Sequence, residues 1–174
     1  MIPDRERLDA AFVAAYDELR RLAGHLQRLE PGTTLDPTGL VNEAWLKLSR
    51  SPGVADTSPL HFKRIAARAM RQVLIEAARR RQAEKRGGSE QVLITLEEDL
   101  AEPAAIATDV LALDSALESL EARHPRPAAV VEARFFGGLT TSEIAAALAV
   151  SEATVLRDWR AARAWLAHAL SSPA

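Results

Sequence analysis

The stretch Gly138-Leu-Thr-Thr-Ser-Glu-Ile-Ala-Ala-Ala-Leu-Ala-Val-Ser-Glu-Ala-Thr-Val155 decides how this chain is read. Thr140 is placed to cap a helix, with Glu143 three residues on reaching back to the free backbone amides. Ile144, Ala145 and Leu148 then recur on one face at helical spacing. Ala149 and Val150 turn the chain, and Ser151 caps a second amphipathic run through Thr154, Val155 and Trp159. The pattern predicts a helix-turn-helix whose second helix is shaped for a DNA major groove.

Outward from this motif the chain is helical in character. Alanine, leucine, glutamate and arginine dominate, and proline and glycine clusters punctuate them without strand-like alternation. One helix, or two, is expected from Arg5 to Leu29, with Leu8, Phe12, Ala15, Leu19, Leu22 and Leu26 on one stripe. Glu30-Pro31-Gly32 ends it. Asp36 can cap a second helix that has Pro37 at its first position and runs to Ser49, with Val41, Ala44, Trp45 and Leu48 inward. A loop follows from Ser51 to Pro59. A long helix is expected over 60–85, with Ile65, Ala69, Val73 and Ala77 inward and Gly87-Gly88-Ser89 ending it. Residues 91–108 have weak periodicity and read as a linker with room for short helical pieces. Asp109 to Arg123 forms another helix on Leu113, Leu117 and Leu120, and Pro127 can start the next, through Phe136. The fold class is all-α: two small helical domains, 1–86 and 109–174, joined by a flexible acidic linker over 87–108, with the helix-turn-helix C-terminal.

The net charge of −2 conceals strong segregation. Residues 61–86 carry nine basic and two acidic side chains, whereas residues 87–122 carry nine acidic and none basic. A basic segment of this density can hold phosphates that its acidic neighbour would repel. The plain alternative is a solvated basic helix. There is no cysteine, hence no disulfide framework and no thiolate metal site. His25, His61, His124 and His168 are scattered without metal-ligand spacing. Gly87-Gly88 and Gly137-Gly138 lack the strand and the Lys-Ser/Thr of a phosphate loop. No enzyme, metal or cofactor is expected. Met1 to Arg7 is charged without an apolar signal core, and no apolar run approaches the ~18 residues that would suggest a membrane span. A cytoplasmic protein follows.

The ordered set of motifs resembles the bacterial extracytoplasmic-function (ECF) sigma factors over nearly the whole chain. Leu40-Val-Asn-Glu-Ala-Trp-Leu-Lys-Leu48 resembles the family's helix that docks on the polymerase clamp. Phe62 to Arg81 resembles its promoter-melting, minus-ten helix. Leu113 to Leu120 and Gly138 to Leu166 resemble its minus-thirty-five domain. Asp158-Trp-Arg-Ala-Ala-Arg-Ala-Trp-Leu166, together with Leu35-Asp-Pro-Thr38, is similar to a subgroup often encoded near serine/threonine kinases.

The resemblance implies a monomer that makes no covalent bond but recruits core RNA polymerase to promoter DNA and opens the duplex. Asp36, Asn42, Glu43 and Lys47 would meet the clamp. Lys63, Arg64, Arg68, Arg71, Arg79, Arg80 and Arg81 would hold minus-ten phosphates, contacts that position without carrying sequence. A flipped non-template base would sit in the loop 51–59. Glu152, Thr154, Arg157, Arg160 and Arg163 would face the minus-thirty-five element. Trp159, Ala162 and Trp165 would pack inward. The chain departs from the family pattern at Leu156 and Asp158, where many relatives are basic, and at Ala149, where the turn is usually glycine. Asp158 would repel phosphate unless an arginine pairs with it. At ~3.3 Å per residue the linker could span roughly 70 Å, against roughly 50 Å between promoter elements one and a half turns apart. Regulation would come from outside, through an anti-sigma factor or a serine/threonine kinase. Thr38 is the candidate phosphorylation site, with Thr33 and Thr34 as alternatives. A one-component helix-turn-helix regulator is the rival function, and it predicts a dimer.

Overall fold

The computed structural model describes residues 4–27, 35–51, 54, 57–84, 92–98 and 101–171. The expected break at Glu30-Pro31-Gly32, residues 52, 53, 55 and 56 of the loop 51–59, the glycines at 87–88 and the alternative sites Thr33 and Thr34 lie outside them. The first half holds α1 (Asp4–Gln27), α2 (Pro37–Leu48) and α3 (Pro59–Glu84). A two-stranded pair, β1 (Val92–Glu98) and β2 (Ala101–Thr108), follows. The second half holds α4 (Val110–Arg123), α5 (Pro125–Val131), a π-helical turn (Glu132–Phe136), α6 (Thr141–Leu148) and α7 (Glu152–Ser171).

The helix starts obey their capping chemistry. The Asp36 carboxylate accepts from Gly39 N at 2.6 Å, with Pro37 just inside α2. Asp109 accepts from Ala112 N at 2.7 Å at the head of α4. Thr140 and Glu143 form the complete capping box of α6. Ser151 Oγ accepts from Thr154 N at 3.2 Å before α7. α5 starts at Pro125, two residues ahead of the expected Pro127, because either proline satisfies an N-terminal turn that needs no amide.

The linker corrects the expectation of a strap with short helical pieces. β1 and β2 pair antiparallel, Val92 opposite Thr108 and Glu98 opposite Ala101, with an irregularity between Leu96 and Glu98. Val92, Ile94 and Thr95 are β-branched and prefer extended backbone to helix. Pro103, without an amide to donate, falls where the ladder is irregular. Paired ends stand about 5 Å apart, so the linker here doubles back. The all-α class holds for everything that packs into the core.

One apolar core runs through both halves, from Leu8, Leu19 and Leu26 of α1 to Trp159 and Leu166 of α7. α3 is its central helix. Phe62, Ala66, Met70, Val73 and Leu74 are buried in it, most of them beyond the stripe anticipated at Ile65, Ala69, Val73 and Ala77. Ile65 and Ala77 are only half-buried. A second apolar contact joins Ile75 and Ala78 of α3 to Val110 at the head of α4. α3 is covered on two sides, which explains why its buried surface exceeds one helical stripe.

Candidate nucleic-acid interface

The helix-turn-helix segment presents a consistent outer face. Glu152, Ala153, Arg157 and Arg160 are exposed on α7, and Thr154 and Arg163 are half-exposed. Thr154 also shares a 2.9 Å hydrogen bond with the Ser151 hydroxyl, which ties it to the cap. Val155, Trp159, Ala162 and Leu166 form the buried stripe, and Trp165 is half-buried beside it. Asp158 belongs to the inner side: it is 5% exposed and receives Arg126 Nε at 2.5 Å and Nη2 at 3.2 Å. This fork holds the Arg126 guanidinium above its ordinary pKa, through the hydrogen bond first and the carboxylate charge second. The anticipated arginine partner therefore exists, and the acid is withdrawn from the exposed face. Sequence reading missed Arg126 because its partner lies 32 residues on.

Ala149, between α6 and α7, has φ 53° and ψ 45°, a left-handed conformation. A β-carbon there costs about 1 kcal/mol or more. Ala149→Gly is expected to raise stability by about 0.5–1 kcal/mol, the strain relief being reduced by the extra freedom of glycine in the unfolded chain. Urea denaturation checks this, and a destabilised variant would contradict it.

α3 carries the candidate phosphate ligands, and most of those with a described partner meet carboxylates across the fold. Lys63 Nζ lies 2.7 Å from Glu18 and 3.7 Å from Glu143 of α6. The hydrogen bond to Glu18 leads in raising the Lys63 pKa. Arg68 stands 3.8 Å from Glu121 of α4. Arg71 is 8% exposed and is held by Asp114 of α4 and Glu132 of the π-turn, at 2.7 and 2.9 Å. Its guanidinium also lies 5.8 Å from the Phe136 ring centre. Arg79 reaches Asp114 at 3.7 Å from a largely exposed position. Arg80 is exposed, and Arg64 and Arg81 are half-exposed. In this arrangement α3 presents Arg80 to solvent and turns Arg71 inward.

Glu143 sits below the ordinary carboxylate range, chiefly because the Thr140 backbone amide donates to it, with the Thr140 hydroxyl and Lys63 adding to the effect. A folded-state pKa below the unfolded one stabilises fully above the unfolded value and is lost as pH falls through the folded value. Wild type should exceed Glu143→Ala by about 1 kcal/mol at neutral pH. The gap should close as pH falls below the carboxylate range, and urea midpoints from neutral to acid pH measure it. A gap independent of pH would contradict this.

On α2, Asn42 and Glu43 are exposed and Leu46 is 48% exposed, so they form an outward face. Lys47 Nζ is instead engaged by Glu76 of α3 at 2.7 Å. Asp36 is occupied in capping. Thr38 is half-exposed in the first turn of α2, which holds no acidic residue.

A helical chain with a densely basic central helix and a capped helix, turn and helix defines a protein of the DNA-binding transcription class. Comparison with family profiles makes this specific: the one described as ECF sigma factor matches residues 3–172, and the chain belongs to that family. It is thus a non-enzymatic RNA polymerase sigma factor, of a family that binds core polymerase and promoter DNA. No curated protein and no solved structure matches the chain. No helix among the described residues is long and apolar enough to cross a membrane.

Proposed function

We propose that residues 1–86 bind core polymerase and the minus-ten element, and residues 109–174 the minus-thirty-five element, as a monomer in the initiation complex. Asn42, Glu43, Asp36 and Lys47 would meet the polymerase clamp. Lys63, Arg64, Arg68, Arg71, Arg79, Arg80 and Arg81 would hold minus-ten phosphates. Glu152, Thr154, Arg157, Arg160 and Arg163 would face the minus-thirty-five groove. The observation that carries this is the exposed face of α7, with Glu152, Arg157 and Arg160 outward and Asp158 sequestered by Arg126. Addition of the protein to core polymerase, with transcript starts mapped across a genome, tests it. Promoter-specific starts that vanish with Arg157→Ala and Arg160→Ala support it. Failure to bind core removes it.

The finer reading is control by phosphorylation at Thr38, within the kinase-associated subgroup. α2 has no acidic residue in its first turn, and Thr38 is accessible there. A phosphate adds about −1.5 to −2 charges where the helix dipole favours anions. It would complete an acidic surface for the clamp. Transcription in vitro by unmodified and Thr38-phosphorylated protein tests this. Equal core affinity and activity in both forms would sink it, and would leave an anti-sigma factor as the regulator.

A further inference from the structure

Arg126 stands at the corner between α4 and α5, beside the exposed Arg123 and His124. Pro125 and Pro127 flank it, and their fixed φ stiffens the backbone that carries it. The Arg126 side chain is 50% exposed, whereas that of its partner Asp158 is 7% exposed. The pair therefore presents its positive end outward and buries its negative end. Asp158 takes one edge of the guanidinium, through Nε and Nη2. The other edge, Nη1 and the second hydrogen of Nη2, has no partner among the described residues and points away from the carboxylate. The helix period gives its place beside α7. Asp158 shares a side of that helix with Thr154, four residues before, and Ala161, three after. Thr154 is half-exposed and Ala161 exposed, and Arg157 next to them is exposed as well. The guanidinium thus borders the outer face of α7 on its flank and not on its crest. When such a helix lies in a major groove, its crest meets base edges and its flanks meet the phosphate walls.

We propose that Arg126 is a further minus-thirty-five contact, a phosphate ligand supplied by α5 and aimed by Asp158. This contact rests on the assignment of residues 109–174 to the minus-thirty-five element. A guanidinium meets a phosphate as a fork of N–H donors, and one already fixed by a carboxylate loses little side-chain freedom on binding. The planar group would lie between carboxylate and phosphate, so that each anion takes a different edge. Asp158 is then a positioning residue. An acid that would repel DNA from an outward position instead orients, from the buried side, a cation that binds it. Arg126 contributes affinity and register, while the choice of sequence stays with the crest of α7.

The test uses the full chain assembled with core polymerase, and a promoter fragment taken from the mapped transcript starts. Removing Arg126 alone would strand the buried Asp158 and mix folding with binding. Two variants without the ion pair avoid this. Asp158→Asn keeps the Arg126 charge and an oxygen to accept from it, and Asp158→Asn with Arg126→Gln removes that charge. A purely structural role gives the two equal DNA affinity and equal salt dependence, and that result overturns the contact. The double variant is expected to bind about fivefold more weakly, with a slope of log affinity against log salt shallower by about 0.9, the value of one phosphate. Base changes in the minus-thirty-five element should cost both variants the same factor, because a phosphate contact is blind to sequence. An unequal factor overturns the phosphate role. Asp158→Ala keeps the charge but removes its anchor, so it should lower affinity below that of Asp158→Asn with the slope retained. Equal affinity in those two overturns the aiming. Circular dichroism and urea midpoints establish folding. Where an amide variant is unfolded, Arg126→Met with Asp158→Leu replaces the pair by apolar side chains and is compared with the wild type. The same losses of affinity and slope support the contact, and a wild-type slope overturns it. Arg157→Ala separates this contact from the underlying assignment. If it weakens binding while the Arg126 charge has no effect, only the Arg126 contact falls. If neither has an effect, the minus-thirty-five assignment falls with it.

Discussion

Arg71→Met is expected to lower the stability of the protein by about 3–5 kcal/mol, because it removes the guanidinium that Glu132 and Asp114 share and leaves Asp114 only the 3.7 Å contact to Arg79. Asp114 and Glu132 have side chains only 9% and 14% exposed, and both are aimed at the one guanidinium. Methionine replaces the apolar stem of Arg71 and keeps much of its packing, so the loss reports the charge rather than a cavity. The variant should therefore show a lower urea midpoint. A wild-type midpoint would mean that the cluster contributes nothing. Replacing all three members by apolar residues should recover much of the stability, since buried ion pairs seldom exceed a well-packed apolar equivalent.

Trp159→Ala should cost about 3–5 kcal/mol, the usual range for deleting a buried large aromatic. Trp159 is the largest fully buried side chain, 1% exposed, between the outer face of α7 and the rest of the second half. The Arg134 guanidinium lies over its ring at 4.9 Å, and that attraction is lost too. Thermal unfolding should fall by roughly 10 °C for a chain of this size. Its indole Nε1 has no hydrogen-bond partner among the described residues. Trp159→Phe removes that unpaired donor along with part of the volume, so it should cost clearly less than alanine. Equal losses in the two variants would refute the account of Trp159 as a packing residue. A folded Trp159→Ala protein that specifically loses DNA contact would do the same.

Much of the second half could be read from local chemistry. The capping box at Thr140 and Glu143, the Ser151 cap and the buried spacing of Val155, Trp159 and Ala162 are relations between residues three or four apart. Such relations are set by the helix period itself. The outward placement of Glu152, Arg157 and Arg160 follows from the same period once the inner stripe is known. The first half is similar: Asp36 and Pro37 start α2, and the stripe of α1 is largely the expected one, with Phe12 and Leu22 half-buried.

The sequence by itself thus determined the helices, their caps, the segregation of charge and the family. It could not place α3, because the run from Lys63 to Arg81 is equally consistent with a solvated basic face. Only the tertiary structure decided that Arg71 turns inward, since its partners Asp114 and Glu132 lie 43 and 61 residues away. It also decided that Asp158 is neutralised by Arg126, and that the linker pairs with itself. The physical reason is common to all three. A charge or an extended segment has no periodic signature that names its partner. Opposite charges attract whichever arrangement brings them together, and that arrangement is set by the packing of α3 between the two halves.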